Sequence, residues 1–253
     1  MEQILGNSDI SDWIGSKNTS CGIVDIVTAE LINSTIGKNP NKDFKNGDTL
    51  PPLWHWFAFP SATHLSQLGD DGHPKHIGYT PPKDLTRRMW ASGSLTFHSN
   101  LRVGDEVTKD TTVLDIKEKE SQAGEMVFIT YEHKLRNSSS IAITETQNIV
   151  YLQASDTFNP PKKRDVPQPD YPKDKIVISN PLLFRFSALT YNAHRIHYDL
   201  KYAQEVEKYP HLIVHGPLRH FSFCNMQVNY EILHQKSFLF AGCIQHLRII
   251  QWN

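Results

Sequence analysis

Between Gly22 and Ile36 the apolar residues Val24, Val27, Leu31 and, more loosely, Ile36 recur close to every 3.6 positions, a spacing that predicts an amphipathic helix. Ser20 stands near the N-cap of that segment and Gly37 just past its end. From Ser92 the pattern changes to short runs rich in Thr, Val, Ile, Tyr and Phe: Ser92–Phe97, Glu106–Ile116, Glu125–Arg136 and Ile141–Ala154. β-Branched and aromatic side chains fit a pleated, half-buried surface, and Gly-Asp, Gln-Ala-Gly and Asn-Ser-Ser-Ser breaks separate the runs. They are expected to form an antiparallel meander.

Periodicity disappears over Phe158-Asn-Pro-Pro-Lys-Lys-Arg-Asp-Val-Pro-Gln-Pro-Asp-Tyr-Pro172, where five prolines and several charges favour an extended, hydrated chain. The chain therefore divides into an N-terminal unit over 1–155, a linker over 156–178 and a C-terminal unit over 179–253. In the last unit, His215-Gly216-Pro217 opens a segment with Leu218, Phe221, Asn225, Val228 and Ile232 near helical spacing, and Pro suits a first helical turn. A helix followed by antiparallel strands, twice over, predicts an α+β chain with two helix-wrapped sheets side by side. Only about 20 residues follow the second helix, too few for a full sheet of five- or six-residue strands, so the second unit is expected to be truncated.

Composition narrows the function classes. A net charge of -1 and a pI near 6.9 leave no basic surplus for phosphates, which argues against nucleic acid as a partner. Cys21, Cys224 and Cys243 are odd in number, far apart and lack a C-x-x-C spacing, so reduced thiols are expected rather than a disulfide frame or a zinc site. No apolar run approaches the roughly 18 residues that would span a bilayer, so no membrane partner is expected. The stretch from Met1 to Trp13 is acidic, unlike an Arg-rich amphipathic presequence. Glycines form no dinucleotide or phosphate loop, and no cofactor is expected.

The densest chemistry lies in Phe186-Ser-Ala-Leu-Thr-Tyr-Asn-Ala-His-Arg-Ile-His-Tyr-Asp199, which gathers two imidazoles, an amide, a guanidinium and a carboxylate. Phe186-Ser-x-x-Thr-x-Asn192-x-His194-x-Ile196-His197-x-Asp199 resembles the hydratase motif of MaoC-like hot-dog enzymes, with His197 at the position of the motif's terminal His. Val214-His215-Gly216-Pro217 resembles the family's Val-His-Gly turn before the central helix. In the N-terminal unit, Leu50-Pro-Pro-Leu-Trp-His-Trp56, Leu68-Gly-Asp-Asp-Gly-His-Pro74, Arg87-Arg-Met-Trp-Ala-Ser-Gly93 and Leu101-Arg-Val-Gly-Asp105 resemble the non-catalytic half of mesaconyl-CoA hydratase-like proteins and fungal mitochondrial 3-hydroxyacyl-thioester dehydratases. The resemblance implies a double hot-dog fold. It also implies reversible dehydration of a 3-hydroxyacyl thioester of acyl-carrier protein or coenzyme A, as in mitochondrial-type fatty acid synthesis. Such a protein would be a monomeric pseudo-dimer or a homodimer, with a mitochondrial location and a cytoplasmic one as the alternative.

The residues fit that chemistry on their own terms. Removing a proton alpha to a thioester carbonyl calls for stabilisation of the developing enolate oxygen, which N–H groups at a helix N-terminus supply; Gly216 lets a substrate approach that backbone. His197 is the candidate acid/base, since imidazole titrates near neutral pH. The motif's Asp is replaced by Asn192, an amide that cannot be a base and is expected to hold the water or hydroxyl. His194, Tyr191, Asp199 and His215 are expected to support the site. Arg87, Arg88 and Trp90 are candidate substrate contacts, with a salt-bridged or solvated Arg pair as the alternative.

His194, His197, His211, His215 and Asp199 lack strict metal spacing, so no metal is expected. His55, His73, His76 and His98 are expected to be ordinary hydrogen-bonded or exposed histidines. Trp54, Trp56, Phe57 and Phe59 read as core packing or as the wall of an acyl tunnel. Two other functions stay open: hydration of a mesaconyl-type thioester, and a silent acyl-thioester-binding protein, which Asn192 and the short C-terminus would suit.

Overall fold

The first periodic segment divides in two. In the computed structural model, which describes residues 10–75, 85, 87–121, 124–138, 140–153, 157, 177–227 and 237–241, Lys17–Ile23 forms a strand, β1, and the helix α1 spans Ile26–Ile36. Its N-cap is Asp25 rather than Ser20: the carboxylate accepts the Thr28 N–H at 2.7 Å, satisfying a donor the helix cannot. Gly37 closes the helix as expected, donating its N–H to the Asn33 carbonyl. Gly22 lies in β1, where a Cβ would come within 2.0 Å of the Ala58 carbonyl oxygen, so strand and neighbouring turn meet backbone to backbone.

The buried face of α1 also departs from the apolar stripe. Ala29 and Ile32 are fully buried, whereas Val27 and Leu31 are 62% and 53% exposed. The side carrying the small Ala29 lets α1 lie close against the helix Asn180–Thr190, and close packing outweighs the larger but misdirected apolar pair.

Four further strands occupy the expected runs: β2 (Arg87–Phe97), β3 (Glu106–Ser121), β4 (Gly124–Arg136) and β5 (Ile141–Leu152). Only β3, β4 and β5 form a meander. β2 crosses to the far side and pairs with β5, giving the antiparallel order β1-β3-β4-β5-β2-β6, in which β6 is Ser237–Ala241. In β4 the buried Val127, Ile129, His133 and Leu135 keep the two-residue period of a one-sided sheet. β6 belongs to the C-terminal unit and pairs with β2 through Gly93 and Phe240, so the second unit adds to the first edge to edge. Val228, Ile232 and the chain after Ala241, on which the expected truncation rests, lie outside the described residues, as does nearly all of the linker.

Among the described residues the C-terminal unit contributes three α-helices: α2 (Asn180–Thr190), α3 (Leu200–Glu205) and α4 (Gly216–Gln227). Leu183 and Phe186 of α2 and Leu218 and Phe221 of α4 enter the same core as Ala29, Ile32, Leu95, Leu135 and Ile143. Phe186 has ring contacts with Phe57 at 5.6 Å and with Phe221 at 5.9 Å, so one hydrophobic core spans both units. Trp54 and Phe57 are buried, as core packing requires, and Trp56 stands edge-on to Trp90 and Phe221 at 5.4 Å each. The Trp56 indole N–H is held by both oxygens of the buried Glu145 at 3.2 Å. Burial pushes the Glu145 carboxyl up, but hydrogen bonding and charge from His55, with His133 and Gln147, outweigh it and keep the group below the ordinary carboxylate range.

Candidate active site

α2 ends at Tyr191, which adopts a left-handed conformation (φ 51°) and donates its N–H back to the last helical turn. The chain then reverses, and Asn192 closes the turn: its Oδ1 accepts the His194 N–H at 3.0 Å. A single 3-10 turn, Arg195–His197, follows and brings His197 inward. Tyr191 itself is 63% exposed, so what it contributes to this turn is its backbone conformation and not its side chain. Asp199 likewise acts at a distance. It caps α3 by accepting the Tyr202 N–H at 3.0 Å and pairs with Arg195 at 2.7 Å, which stiffens the segment.

His197 is buried, and its Nδ1–H donates to the Ile213 carbonyl at 2.7 Å. That bond fixes the neutral tautomer and leaves Nε2 as the basic nitrogen. The ring stacks on His215 at 3.7 Å with an interplanar angle of 20°. His215 is 1% exposed and bonded through Nε2 to the Ser187 hydroxyl at 2.8 Å. On the other side His197 meets His194 edge-on at 5.4 Å. Burial, the largest cause in each case, pushes the three imidazoles down, His197 to about 4, His194 to about 3 and His215 to about 2. All three are neutral at physiological pH.

The next element after Ile213 is α4, with Gly216 in its first turn. The Gly216 N–H is one of the donors that a helix start cannot satisfy internally, and the helix dipole adds positive potential there. A Cβ built on Gly216 would lie 3.7 Å from Trp90, an ordinary contact, so packing against the protein does not itself demand glycine. Trp90 thus sits beside the helix start. Its neighbours fare differently. Arg87 donates to the Glu207 carboxylate and carbonyl at 3.0 Å and lies over Tyr209, so its charge joins the two units and the salt-bridged alternative is the one observed. Arg88 remains close enough to His194 to repel its protonated form, and its Nε is buried with no hydrogen-bond partner among the described residues.

Sequence reasoning missed a contribution from the N-terminal unit. His73, expected to be an ordinary histidine, packs against the His194 ring at 4.0 Å. Asp71 accepts from His73 Nδ1 at 3.0 Å and from its backbone N–H at 2.9 Å. Its turn is keyed to the motif segment: the Arg195 N–H donates to the Asp71 carbonyl at 2.9 Å, and a Cβ on Gly72 (φ 88°) would fall 1.9 Å from the Ala193 oxygen. Asp71, His73 and His194 each offer an atom within 4.8 Å of the others, a grouping also able to take a metal ion, which the motif spacing did not anticipate. The signal was the Asp-Gly-His run itself, but nothing local says which surface it meets.

The hydroxyacyl-thioester dehydratase type 2 family matches residues 53–240 of the chain. The sequence is 38% identical over 216 residues to mesaconyl-C(4)-CoA hydratase of Chloroflexus aurantiacus, covering 85% of this chain and 76% of that protein. It is 28% identical over 198 residues to the mitochondrial hydroxyacyl-thioester dehydratase type 2 of Schizosaccharomyces pombe, covering 67% of this chain and 64% of that one. A MaoC-like dehydratase of Phytophthora capsici superposes with a TM-score of 0.62 at 13% identity, over 94% of this chain and 85% of that chain. A Mycobacterium tuberculosis protein described as a double hot-dog fold superposes at 0.50 and 14% identity, over 86% and 74%. These superpositions give the fold, a double hot-dog.

Proposed function

The chain belongs to the hydroxyacyl-thioester dehydratase type 2 family, and on that premise we propose that it reversibly dehydrates a 3-hydroxyacyl thioester to the trans-2-enoyl thioester at His197. The observation that carries this reading is the fixed tautomer of His197, whose Nδ1–H is held by Ile213. In the dehydration direction, the bare Nε2 takes the proton alpha to the thioester. The electron pair moves toward the thioester oxygen, where the Gly216 N–H and the start of α4 stabilise the negative charge. The same proton passes to the beta-oxygen, the C–O bond breaks, and water leaves as the double bond forms. Asn192, with its Oδ1 committed to His194, has its amide N–H groups to hold the leaving hydroxyl.

Both units build the site, which suits one chain acting as a pseudo-dimer. Coenzyme A and acyl-carrier protein both fit the proposal as carriers, and mitochondrial placement is part of it through the fission yeast relative. Turnover of crotonyl-CoA, followed as loss of enone absorbance, is the direct test. No turnover at high enzyme concentration would leave a silent binding protein. One observation favours a second substrate: the buried Arg88 Nε beside His194 could meet the free carboxylate of a mesaconyl-type thioester. A higher kcat/KM on that substrate, lost in Arg88→Gln, would select it.

Gly216→Ala separates packing from catalysis. Since the Cβ meets only an ordinary contact, stability should change by about 1 kcal/mol at most. The methyl would stand where the thioester oxygen approaches, and kcat should fall on the order of tenfold. Unchanged kcat would remove the α4 terminus from the mechanism. Asn192→Asp keeps the acceptor for the His194 N–H and adds a carboxylate at the turn that leads to His194 and His197. It should retain or raise activity, since a carboxylate can itself serve as base. Complete inactivity would contradict a mere holding role for Asn192.

A further inference from the structure

The four imidazoles of His73, His194, His197 and His215 form a continuous row, with successive ring centroids 4.0, 5.4 and 3.7 Å apart. The Ser187 hydroxyl ends the row at one side and the Asp71 carboxylate at the other. Three members come from the motif-bearing unit. The fourth, with its carboxylate, comes from the N-terminal unit, whose motifs resemble a non-catalytic half.

Taking His197 as the acid/base, as in the reading above on which this inference rests, we propose that Asp71 and His73 are positioning residues of the reaction, supplying from the N-terminal unit the carboxylate that Asn192 replaces in the motif. Asp71 fixes the His73 ring by its two hydrogen bonds, and that ring forms a wall against His194. The pair has little freedom to move away. Gly72 abuts the Ala193 carbonyl, and Arg195 bonds the carbonyls of both Asp70 and Asp71. The arrangement thus holds one negative charge at the end of a row of imidazoles that must accept a positive one when His197 takes up a proton. A carboxylate there favours positive charge on His194, the ring next to His197, without occupying the position of the reacting oxygen. Asp71 remains ionised for the purpose: burial works to raise its pKa, but hydrogen bonding and charge from His73 prevail and lower it.

The test uses the full chain. Asp71→Asn preserves size and an acceptor for the His73 backbone but removes the charge. It should lower kcat for crotonyl-CoA hydration on the order of tenfold to a hundredfold, the effect of slight misplacement at a reacting group. KM should stay within about twofold, because no substrate contact is lost. Asp71→Glu should restore part of the rate. Nitrogen-15 spectra of the histidine side chains read the positioning without turnover: the His194 signals should shift in Asp71→Asn and in His73→Phe. Wild-type kcat in Asp71→Asn together with unmoved His194 signals would overturn the proposal, as would a rate that falls only in proportion to folded protein measured by near-ultraviolet circular dichroism. Loss of wild-type activity on chelation, restored by zinc, would also overturn it and make Asp71, His73 and His194 metal ligands. Should the wild type be inert toward enoyl thioesters, the functional reading fails while the His194 spectra still decide whether Asp71 orients that ring.

Discussion

Replacing His197 with alanine is expected to lower turnover by about a hundredfold to ten-thousandfold, the usual range for losing a general acid/base. The magnitude follows from the lack of an equivalent group in its place. His215 has its Nε2 bonded to Ser187 and a pKa pushed down to about 2, so it is a poor proton acceptor stacked behind the reacting ring. His194 lies 5.4 Å from His197 with its ring at right angles, and burial pushes its pKa down to about 3. Of the three, His197 is the one whose tautomer a backbone carbonyl fixes, leaving Nε2 bare. The loss should therefore appear in kcat with KM little changed, as for an interaction realised in the transition state. Single-turnover measurements on His197→Ala and His194→Ala would check it. A larger loss at His194 would exchange the two roles, and a wild-type rate in His197→Ala would remove this site from the mechanism.

Acid should destabilise the fold well before the carboxylates titrate. In the unfolded chain His194, His197 and His215 take up protons near pH 6.5, whereas burial keeps them neutral in the fold down to about 3, 4 and 2. Between those limits the unfolded state binds more protons, so the free energy of unfolding falls as pH falls. Stability present above pH 6.5 is lost progressively toward each folded pKa. Each histidine can contribute up to about 1.4 kcal/mol per pH unit, and the three together up to about 4 kcal/mol per unit. Set against a typical total of about 5–15 kcal/mol, this is enough to loosen the site near pH 5. Urea midpoints at pH 7.5, 6 and 5 provide the check. A midpoint that does not move between pH 7.5 and 5 would mean that the row is hydrated and not buried.

The acidic limb of activity follows from the same linkage. Protonation of His197 itself would switch off the base only near pH 4. The decline in folded protein should precede it, so the observed acid loss of activity should track unfolding and not a single imidazole titration.

Local residue chemistry determined much of this molecule. The runs that became β2 through β5 carry the β-branched and aromatic residues that a pleated surface accepts, and the structure keeps them with only their ends shifted. Pro217 marked the first turn of α4, and the density of polar groups from Asn192 to Asp199 marked the segment that delivers His197. Such signals are legible because they depend on neighbours a few residues away.

Only the tertiary structure decided the rest. Whether β2 lies beside β3 or β5 depends on a crossover around the sheet, which strand composition does not encode. Which side of α1 is buried depends on how closely that helix approaches α2, far away in sequence, and this favoured Ala29 over Val27 and Leu31. Arg87 and Arg88 are adjacent in sequence, yet Glu207 lies within reach of the first alone, so their roles part. Asp71 and His73 stand more than a hundred residues from His194, and no local pattern could join them. Their meeting depends on Gly72, whose missing side chain lets the turn lie against Ala193 and brings a carboxylate to the end of the histidine row.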